Sequence, residues 1–345
     1  MCGAEDKLGR SQQEAKEKIK RGKVRKALKN VATYLNCAES ELTADKEPLG
    51  YTNSVFRVAR KEERYIYKEY SGKKEGCSEL FWQKFFGFPK ILKEDKEYRI
   101  DEYVQNLSLS RRITRTNGFL IELAGRIASV HKSSPPPTHG LTYLEAMQQA
   151  SKNICLKLRN TRLYTIFTRI EKKITAIYQE SLFLGKMSIC HNDLQVGNIL
   201  LLPDGTIQLI DFEHVSMNLP TVEIANLFLE LSTNYQKKGA PVSTSLSLSS
   251  PQKTLFHRTY LSQTKPSSTS AITPEQFGVE TDKMKGVVCY YWILWATALL
   301  VDTPPKTNGF DYFCFIEYRL QYLCEEGLIA RTNIKEIKSA IINGL

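Results

Sequence analysis

The chain has 345 residues, of which 42% are hydrophobic and 25% charged, a composition typical of a folded globular protein. A chain of this length buries a large core unaided, which excludes a disordered chain, a small disulfide scaffold and a collagen-like fibre. The net charge is +11, but residues 1–30 hold ten basic and four acidic side chains and so carry +6 of it. This concentration in one segment argues against a nucleic-acid-binding face and predicts no nucleic-acid partner.

That basic segment predicts an amphipathic helix over about residues 11–37. Its apolar residues recur at helical spacing, as Val24, Leu28, Val31, Ala32 and Leu35. We expect the basic face to be solvated. Contact with acidic lipid, nucleic acid or a protein partner is the alternative.

The cysteines and the apolar runs indicate a cytoplasmic protein without a transmembrane segment. The eight cysteines include no C-x-x-C pair, and together with the five histidines they form no zinc pattern. The charged N-terminus lacks the apolar stretch of a signal peptide. The longest uncharged apolar run, Val287–Val301, has fifteen residues, whereas about 20 span a bilayer. We therefore expect it to form a buried core helix.

The pattern along the chain predicts a small β-rich part, residues 1–105, followed by a larger helical part, residues 106–345. Strands and turns are expected over residues 49–104, with one helix near 77–86. Helical periodicity dominates residues 119–132 and 143–184. Residues 237–274 are rich in Ser, Thr and Pro and are predicted to form a surface insertion.

The most informative stretch contains two short apolar segments on either side of a Pro-Asp-Gly-Thr turn. Residues 199–202 and 207–210 predict a β-hairpin. If residue 202 pairs with residue 207, Asn198 lies opposite Asp211, and directly opposed Cβ atoms are about 4.5–5.5 Å apart. Because oxygen ligands suit Mg²⁺, this register predicts a magnesium site.

Asp193 lies five residues before Asn198, where its carboxylate could accept the proton of an attacking hydroxyl group. The order is H-x-D-x-x-x-x-N, a hairpin and then D-F-x, as in the catalytic and metal-binding loops of kinases. We expect His191 to hold the loop through hydrogen bonds. The alternative for the whole stretch is a surface loop whose acidic side chains cap turns.

The stretch from His191 to Leu231, with HNDLQVGNILL, IDFEH and EIANLFLEL, closely resembles the choline/ethanolamine kinase family. The resemblance implies an α+β, protein-kinase-like fold with two lobes: a small N-terminal lobe with an antiparallel sheet and a larger, mainly helical C-terminal lobe. It implies ATP and Mg²⁺ as cofactors, Asp193 as the catalytic base, and Asn198 and Asp211 as metal ligands. Glu213 would lie near the metal and the acceptor. Relatives of this kind are often homodimers.

In the N-terminal part, the resemblance implies a nucleotide site. Leu49–Asn53 resembles the family loop G-G-x-S/T-N, which assigns Gly50, Thr52 and Asn53 to nucleotide binding. Lys68 would contact phosphate and pair with Glu79, and Glu102 lies in the stretch that resembles the adenine-contacting strand. For Lys68 and Glu79, ordinary surface charges are the alternative. No Walker A sequence is present, so a P-loop NTPase is disfavoured.

The resemblance also implies an acceptor site for choline, a small-molecule substrate whose quaternary ammonium group is bound by aromatic faces and a carboxylate. The family pattern assigns this role to Glu230, Tyr235, Trp292, Trp295, Phe310 and Phe315. On composition alone, the two tryptophans read as a core stripe. The chain departs from the pattern at Leu49, at Glu223, where Asp is usual, and at His214 and Phe315, where Tyr is usual.

Together these features predict a choline kinase, which transfers the ATP γ-phosphate to the choline hydroxyl for phosphatidylcholine synthesis. An ethanolamine kinase or another small-molecule phosphotransferase of the aminoglycoside phosphotransferase type is the alternative. A non-catalytic, kinase-shaped binding protein is a third, which the presence of Asp193, Asn198 and Asp211 disfavours.

Overall fold

The protein is described by a computed structural model that covers residues 21–46, 54–70, 78–134, 140–159, 161–182, 186–233, 247–264, 272–302 and 311–342. The chain divides into two compact units, Met1–Asn106 and Leu107–Leu345. Five of the predicted site residues lie outside the described residues: Gly50, Thr52, Asn53, Tyr235 and Phe310.

The first unit is built on a five-stranded antiparallel sheet in the order β1-β2-β3-β5-β4. Its elements in chain order are helix α1 (residues 21–35), β1 (Thr43–Lys46), β2 (Ser54–Arg60), β3 (Glu63–Glu69), helix α2 (Ser78–Phe86), β4 (Ile91–Glu94) and β5 (Tyr98–Glu102). Alternating burial along β2, with Phe56 and Val58 inside, gives the sheet one apolar face.

The described part of the basic N-terminal segment is a helix that packs on this sheet. Val31 and Ala32 of the predicted apolar stripe are buried in one cluster with Tyr67 and Ile100. On the other side of α1, Lys26 Nζ lies 2.8 Å from carboxylate oxygens of both Glu69 and Glu97. The basic face is therefore not simply solvated, because part of it pairs with acidic side chains of the same unit.

The second unit is mainly helical. Its helices are α3 (Asn117–His131), α4 (Tyr143–Lys157), α5 (Arg162–Leu182), α6 (Pro220–Leu231), α7 (Ser250–Thr264), α8 (Pro274–Lys283), α9 (Lys285–Asp302), α10 (Tyr312–Glu325) and α11 (Arg331–Ile342). Two small antiparallel pairs join β6 (Ser188–Cys190) to β9 (Ser216–Asn218) and β7 (Ile199–Leu201) to β8 (Ile207–Leu209). These two strand pairs lie in the chain segment between α5 and α6.

Helix α9 is the centre of the second unit's core. It contains the apolar run Val287–Val301 and packs against α4, α5, α6 and α10. Val287, Val288, Tyr290 and Leu294 are fully buried, as expected for a core helix. Among the described residues, no helix combines the length and the apolar character that crossing a membrane requires.

The predicted surface insertion at 237–274 is wrong for residues 250–264, which form helix α7. Four of its side chains are buried, including Phe256 and Tyr260, and it packs closely against α3. The few apolar residues are spaced among many Ser and Thr residues, so the sequence pattern predicts a loop and not a helix. The helix is part of the core, and the Tyr260 hydroxyl contacts His131 of α3.

Candidate active site

The predicted hairpin is present, but its predicted register is wrong by one residue. The pairs are Ile199 with Leu209 and Leu201 with Ile207, and the Leu202 amide donates to the Thr206 carbonyl at 2.9 Å. The loop therefore has three residues, Pro203–Gly205, instead of four. Gly205 closes it at a φ of +88°, a conformation that favours glycine.

This shift places Asn198 beside residue 210 and not directly opposite Asp211. The Ile210 amide donates to the Asn198 carbonyl at 3.0 Å. Asp211 follows immediately, with its backbone in the left-handed region at a φ of +67°. Such a conformation is uncommon for a residue other than glycine and often marks a functional turn. The local turn, and not the strand ladder, thus sets the direction of the Asp211 side chain.

Asp193 is buried and tied to the start of the hairpin. Asn198 Nδ2 donates to Asp193 Oδ2 at 2.8 Å and to its carbonyl oxygen at 2.9 Å, and Gln195 Nε2 donates to Oδ2 at 3.2 Å. Burial raises the pKa of Asp193 to about 7, helped by the charges of Asp211 and Glu230 and opposed by that of His214. A carboxyl with a pKa near neutrality is suited to accept a proton from a hydroxyl group.

The raised pKa predicts a pH-dependent stability effect of Asp193→Asn in protein free of divalent cations. Because the folded-state pKa exceeds the ordinary value of 3.8, ionising Asp193 costs stability as the pH rises from about 4 to about 7. A tenfold difference in the acid dissociation constant between the folded and unfolded states corresponds to about 1.4 kcal/mol. Urea unfolding should therefore show Asn stabilising the protein more at pH 8 than at pH 5. An equal effect at both pH values would contradict the raised pKa.

His191 holds the same loop, as expected from its position. Its Nε2 lies 2.8 Å from the Ile210 carbonyl, and the Asp193 amide donates to its Nδ1 at 3.3 Å. Nδ1 is thus the acceptor, and Nε2 carries the hydrogen. Burial lowers the pKa of His191, which favours this neutral form.

The residue that shapes the turn before Asp193 was not among the predicted site residues. Asn192 has a φ of +65°, and its Nδ2 donates to the His214 carbonyl and to Ser216 Oγ, both at 2.9 Å. Its Oδ1 accepts from Asn218 Nδ2 at 2.7 Å. An asparagine directly after a strand, which tolerates the left-handed conformation, is the signal that was available in the sequence.

A second anchor comes from helix α6. Glu223 is almost fully buried, and its Oε1 accepts from the Asn192 amide at 2.5 Å. Its Oε2 bonds His131 Nε2 at the end of α3, and His131 Nδ1 lies 2.8 Å from the Tyr260 hydroxyl on α7. Side chains from three helices thereby fix the loop that carries Asp193 through one carboxylate.

The oxygen-rich chemistry around Asp211 fits a divalent cation. Both bonds of the Asn198 amide nitrogen run to Asp193, so Oδ1 is the ligand atom that Asn198 offers. Asp211 contributes a carboxylate close enough to raise the pKa of Asp193. Hard oxygen donors and concentrated negative charge are what Mg²⁺ binds. Their roles as metal ligands stay predictions.

The two tryptophans of α9 lie side by side, as their spacing predicts. The ring centroids of Trp292 and Trp295 are 5.4 Å apart at an interplanar angle of 84°, and Trp292 Nε1 donates to Asn226 Oδ1 at 3.0 Å. Trp295 also contacts Tyr312 and Phe315 of α10, at 5.9 and 6.1 Å. The result is a continuous aromatic cluster in which Trp292, Tyr312 and Phe315 are buried in the core of the second unit, as in the core-stripe alternative, and Trp295 packs against them.

Glu230, the predicted carboxylate partner of that cation, is itself paired with an arginine. Arg319 Nη2 lies 3.2 Å from Glu230 Oε1, and both side chains are buried. The Arg319 guanidinium carbon stands 3.5 Å from the Phe315 ring centroid. Glu230 and Phe315 thus share an internal cation, and this contact was not predictable from local sequence because 89 residues separate Glu230 from Arg319.

In the first unit, the expected ion pair between Lys68 and Glu79 is present in a buried network. Lys68 Nζ and Arg99 Nη2 each lie 2.6 Å from Glu79 Oε1, and Arg99 Nε donates to Asp101 Oδ2 at 2.8 Å. Two basic and two acidic groups balance one another there. The strand register accounts for the second basic partner of Glu79, because Arg99 on β5 is paired with Lys68 on β3.

Glu102 lies at the end of β5, and its Oε1 accepts from the Lys90 amide at 2.7 Å. The hydrogen bond from the Lys90 amide is enough to hold the Glu102 side chain in place without a bound ligand. Its role in nucleotide binding, like that of Lys68, stays a prediction.

Comparison with known proteins assigns the family. The choline/ethanolamine kinase family model matches residues 39–323. The chain is 25% identical to a probable choline kinase of Arabidopsis thaliana over 246 residues, 68% of this chain and 67% of that protein. It is 24% identical to the human choline/ethanolamine kinase over 262 residues, 69% of this chain and 64% of that one. It thus spans about two thirds of the length of these relatives.

Solved structures agree on the fold. The choline kinase of Cryptosporidium parvum superposes with a TM-score of 0.69 at 19% identity, covering 94% of this chain and 99% of that one. An ADP-bound aminoglycoside phosphotransferase superposes with a TM-score of 0.55 at 14% identity, covering 86% and 96%. The predicted α+β, protein-kinase-like fold is confirmed. The chain belongs to the choline/ethanolamine kinase family of ATP-dependent phosphotransferases that act on an alcohol group.

Proposed function

We propose that this chain is a choline kinase, which transfers the γ-phosphate of ATP to the choline hydroxyl and yields phosphocholine and ADP. The observation that carries the proposal is Asp193, a buried carboxyl with a pKa near 7, bonded to Asn198 and in the same unit as the aromatic cluster of α9 and α10. Phosphocholine of this origin would serve phosphatidylcholine synthesis.

In the proposed reaction, Asp193 accepts the hydroxyl proton while the choline oxygen forms a bond to the γ-phosphorus. The bond between that phosphorus and the oxygen bridging to the β-phosphate breaks, and ADP leaves with the electron pair. Asn198 and Asp211 would hold Mg²⁺, which neutralises charge on the transferring phosphate when bound. Trp292, Trp295 and Phe315 would face the quaternary ammonium group.

A coupled assay of ADP release tests the proposal. Purified protein with Mg²⁺ and ATP is given choline, ethanolamine, an aminoglycoside or no acceptor, and phosphocholine is identified by mass spectrometry. We expect ADP release that depends on choline. An ADP release rate that is the same with and without an acceptor, or that rises only with the aminoglycoside, would contradict the proposal.

Lys68→Met is expected to lower kcat/KM for ATP by about tenfold or more, because a charge-assisted hydrogen bond to phosphate is lost. The fold should persist, because Arg99 keeps Glu79 paired after the lysine is removed. Steady-state kinetics with varied ATP, beside a thermal melt, provide the measurement. The control is Lys61→Met, at an exposed turn between β2 and β3. Unchanged ATP kinetics in a folded Lys68→Met protein would remove Lys68 from the nucleotide site.

A further inference from the structure

A second concentration of positive charge lies in helices α4 and α5, separate in sequence from the basic N-terminal segment. Residues 151–173 contain seven basic side chains and one acidic side chain, a net charge of +6. All seven basic side chains are exposed. The acidic one, Glu171, is partly buried and accepts a hydrogen bond from Ser151 Oγ at 2.6 Å. The segment therefore presents an excess of positive charge at the protein surface.

The two helices run antiparallel, which brings basic residues from both onto one surface. Ser151 on α4 contacts Glu171 on α5, and Cys155 Sγ lies 4.0 Å from Thr168 Oγ1. Because the residue number rises on α4 as it falls on α5, these two contacts mark a seam between antiparallel helices. The exposed side chains on either side of this seam therefore belong to one continuous surface.

Two rows of exposed side chains border the seam. On α4, Lys152, Leu156 and Arg159 follow one another at i, i+4 and i+7, the spacing of a single helix face. On α5, Tyr164 and Lys172 occupy positions i and i+8, one turn on either side of the seam contact. Leu156 keeps 46% of its surface exposed, and Tyr164 keeps 42%. We call these five residues the α4–α5 face, which combines three basic groups with two large apolar ones.

Within the described part of the chain, the three basic groups of the α4–α5 face form no ion pair. In contrast, Arg162 at the start of α5 lies 3.4 Å from a carboxylate oxygen of Glu336, and Lys26 of α1 pairs with two carboxylates. The α4–α5 face thus suits a partner that offers both negative charge and an apolar layer.

We infer that the α4–α5 face binds the surface of an anionic phospholipid membrane as a peripheral contact. Anionic headgroups attract lysine and arginine, while leucine and tyrosine side chains enter the boundary between the headgroups and the acyl chains. A nucleic-acid backbone would engage the basic groups alone and would give Leu156 no apolar partner. A second copy of the chain would bring the same positive charges together, and this repulsion disfavours a symmetric contact.

Co-sedimentation of the full chain with lipid vesicles tests the inference. The vesicles contain phosphatidylcholine alone or phosphatidylcholine mixed with anionic phosphatidylserine. We expect binding to the mixed vesicles only, and we expect it to weaken as the salt concentration rises, because salt screens exposed charges. The measurement does not use catalysis, so its failure would leave the proposed function standing.

Reversing the three charges of the α4–α5 face, as Lys152→Glu, Arg159→Glu and Lys172→Glu together, is expected to lower the apparent vesicle affinity by about a hundredfold or more, since each basic group near an anionic surface contributes roughly fivefold. Leu156→Ser keeps every charge and should lower the affinity by about threefold or more, because an apolar side chain no longer enters the bilayer. All four side chains are exposed, so the fold should persist, and a thermal melt checks this.

The matched control reverses three exposed basic residues of α1, Arg21, Arg25 and Lys29, and so changes the net charge by the same amount. We expect this variant to retain most of its vesicle binding. Equal loss in both triple variants would show attraction by net charge alone and would overturn the inference, as would wild-type affinity in Leu156→Ser. Wild-type protein that leaves the mixed vesicles unbound but binds an oligonucleotide would also overturn it and would assign the face to a nucleic-acid partner.

Discussion

Asp193→Ala is expected to lower kcat by about 10²–10⁴-fold, the range that positioned proton transfer contributes in enzymes. The expectation follows from the burial of this carboxyl and its pKa of about 7, which place a base of suitable strength in the loop that leads into the hairpin. ATP binding should change little, because the proposed mechanism gives Asp193 no contact with the nucleotide. Single-turnover phosphotransfer and calorimetric titration with ATP measure the two properties separately.

Asp193→Asn is the sharper version of this experiment. Asn has nearly the same shape and retains an oxygen that can accept from Asn198 and Gln195, so the loop keeps its hydrogen bonds. Only the base is lost. Asp204→Asn is the matched control: Asp204 is exposed in the hairpin turn, and its carboxylate bonds only Thr206 among the described residues. Full turnover by Asp193→Asn would show that Asp193 is not the base.

The local features of this site were predictable from sequence, and the long-range ones were not. The spacing of Asp193, Asn198 and Asp211 and the turn between the two strands lie within twenty residues, where motif and turn chemistry apply. The register failed because a three-residue and a four-residue loop differ by one position, and the choice depends on Gly205 adopting a positive φ. A one-residue slip was enough to remove Asp211 from its predicted place opposite Asn198.

Long-range contacts depend on packing that no local pattern encodes. Glu223 reads as one charge among apolar residues of α6, yet it joins residues that are 31 and 92 positions away. Helix α7 escaped prediction for a related reason. Its few buried side chains meet α3, about 130 residues earlier in the chain, and the Ser-rich sequence around them resembles a loop. Predicting them requires the partner surface, which only the fold supplies.

Glu223→Leu is expected to cost roughly 2–6 kcal/mol in the free energy of unfolding, because it leaves two buried polar groups without partners at about 1–3 kcal/mol each. These groups are the Asn192 amide and His131 Nε2. Turnover should fall as well. Without the carboxylate, the strained Asn192 turn loses one of the bonds that hold it at a φ of +65°, and Asp193 follows it directly.

Glu223→Gln separates the effect of the contact with the Asn192 amide from that of the contact with His131. Its amide oxygen can still accept from the Asn192 amide, while the carboxylate partner of His131 is replaced by a neutral amide. We therefore expect a smaller loss of stability than in Glu223→Leu and a larger recovery of kcat. Urea unfolding and kcat at saturating substrates give both values, with Glu275→Gln, at the exposed start of α8, as the control. If Glu223→Leu were unstable but folded protein kept its full kcat, the carboxylate would serve only the core and not the geometry of the catalytic loop.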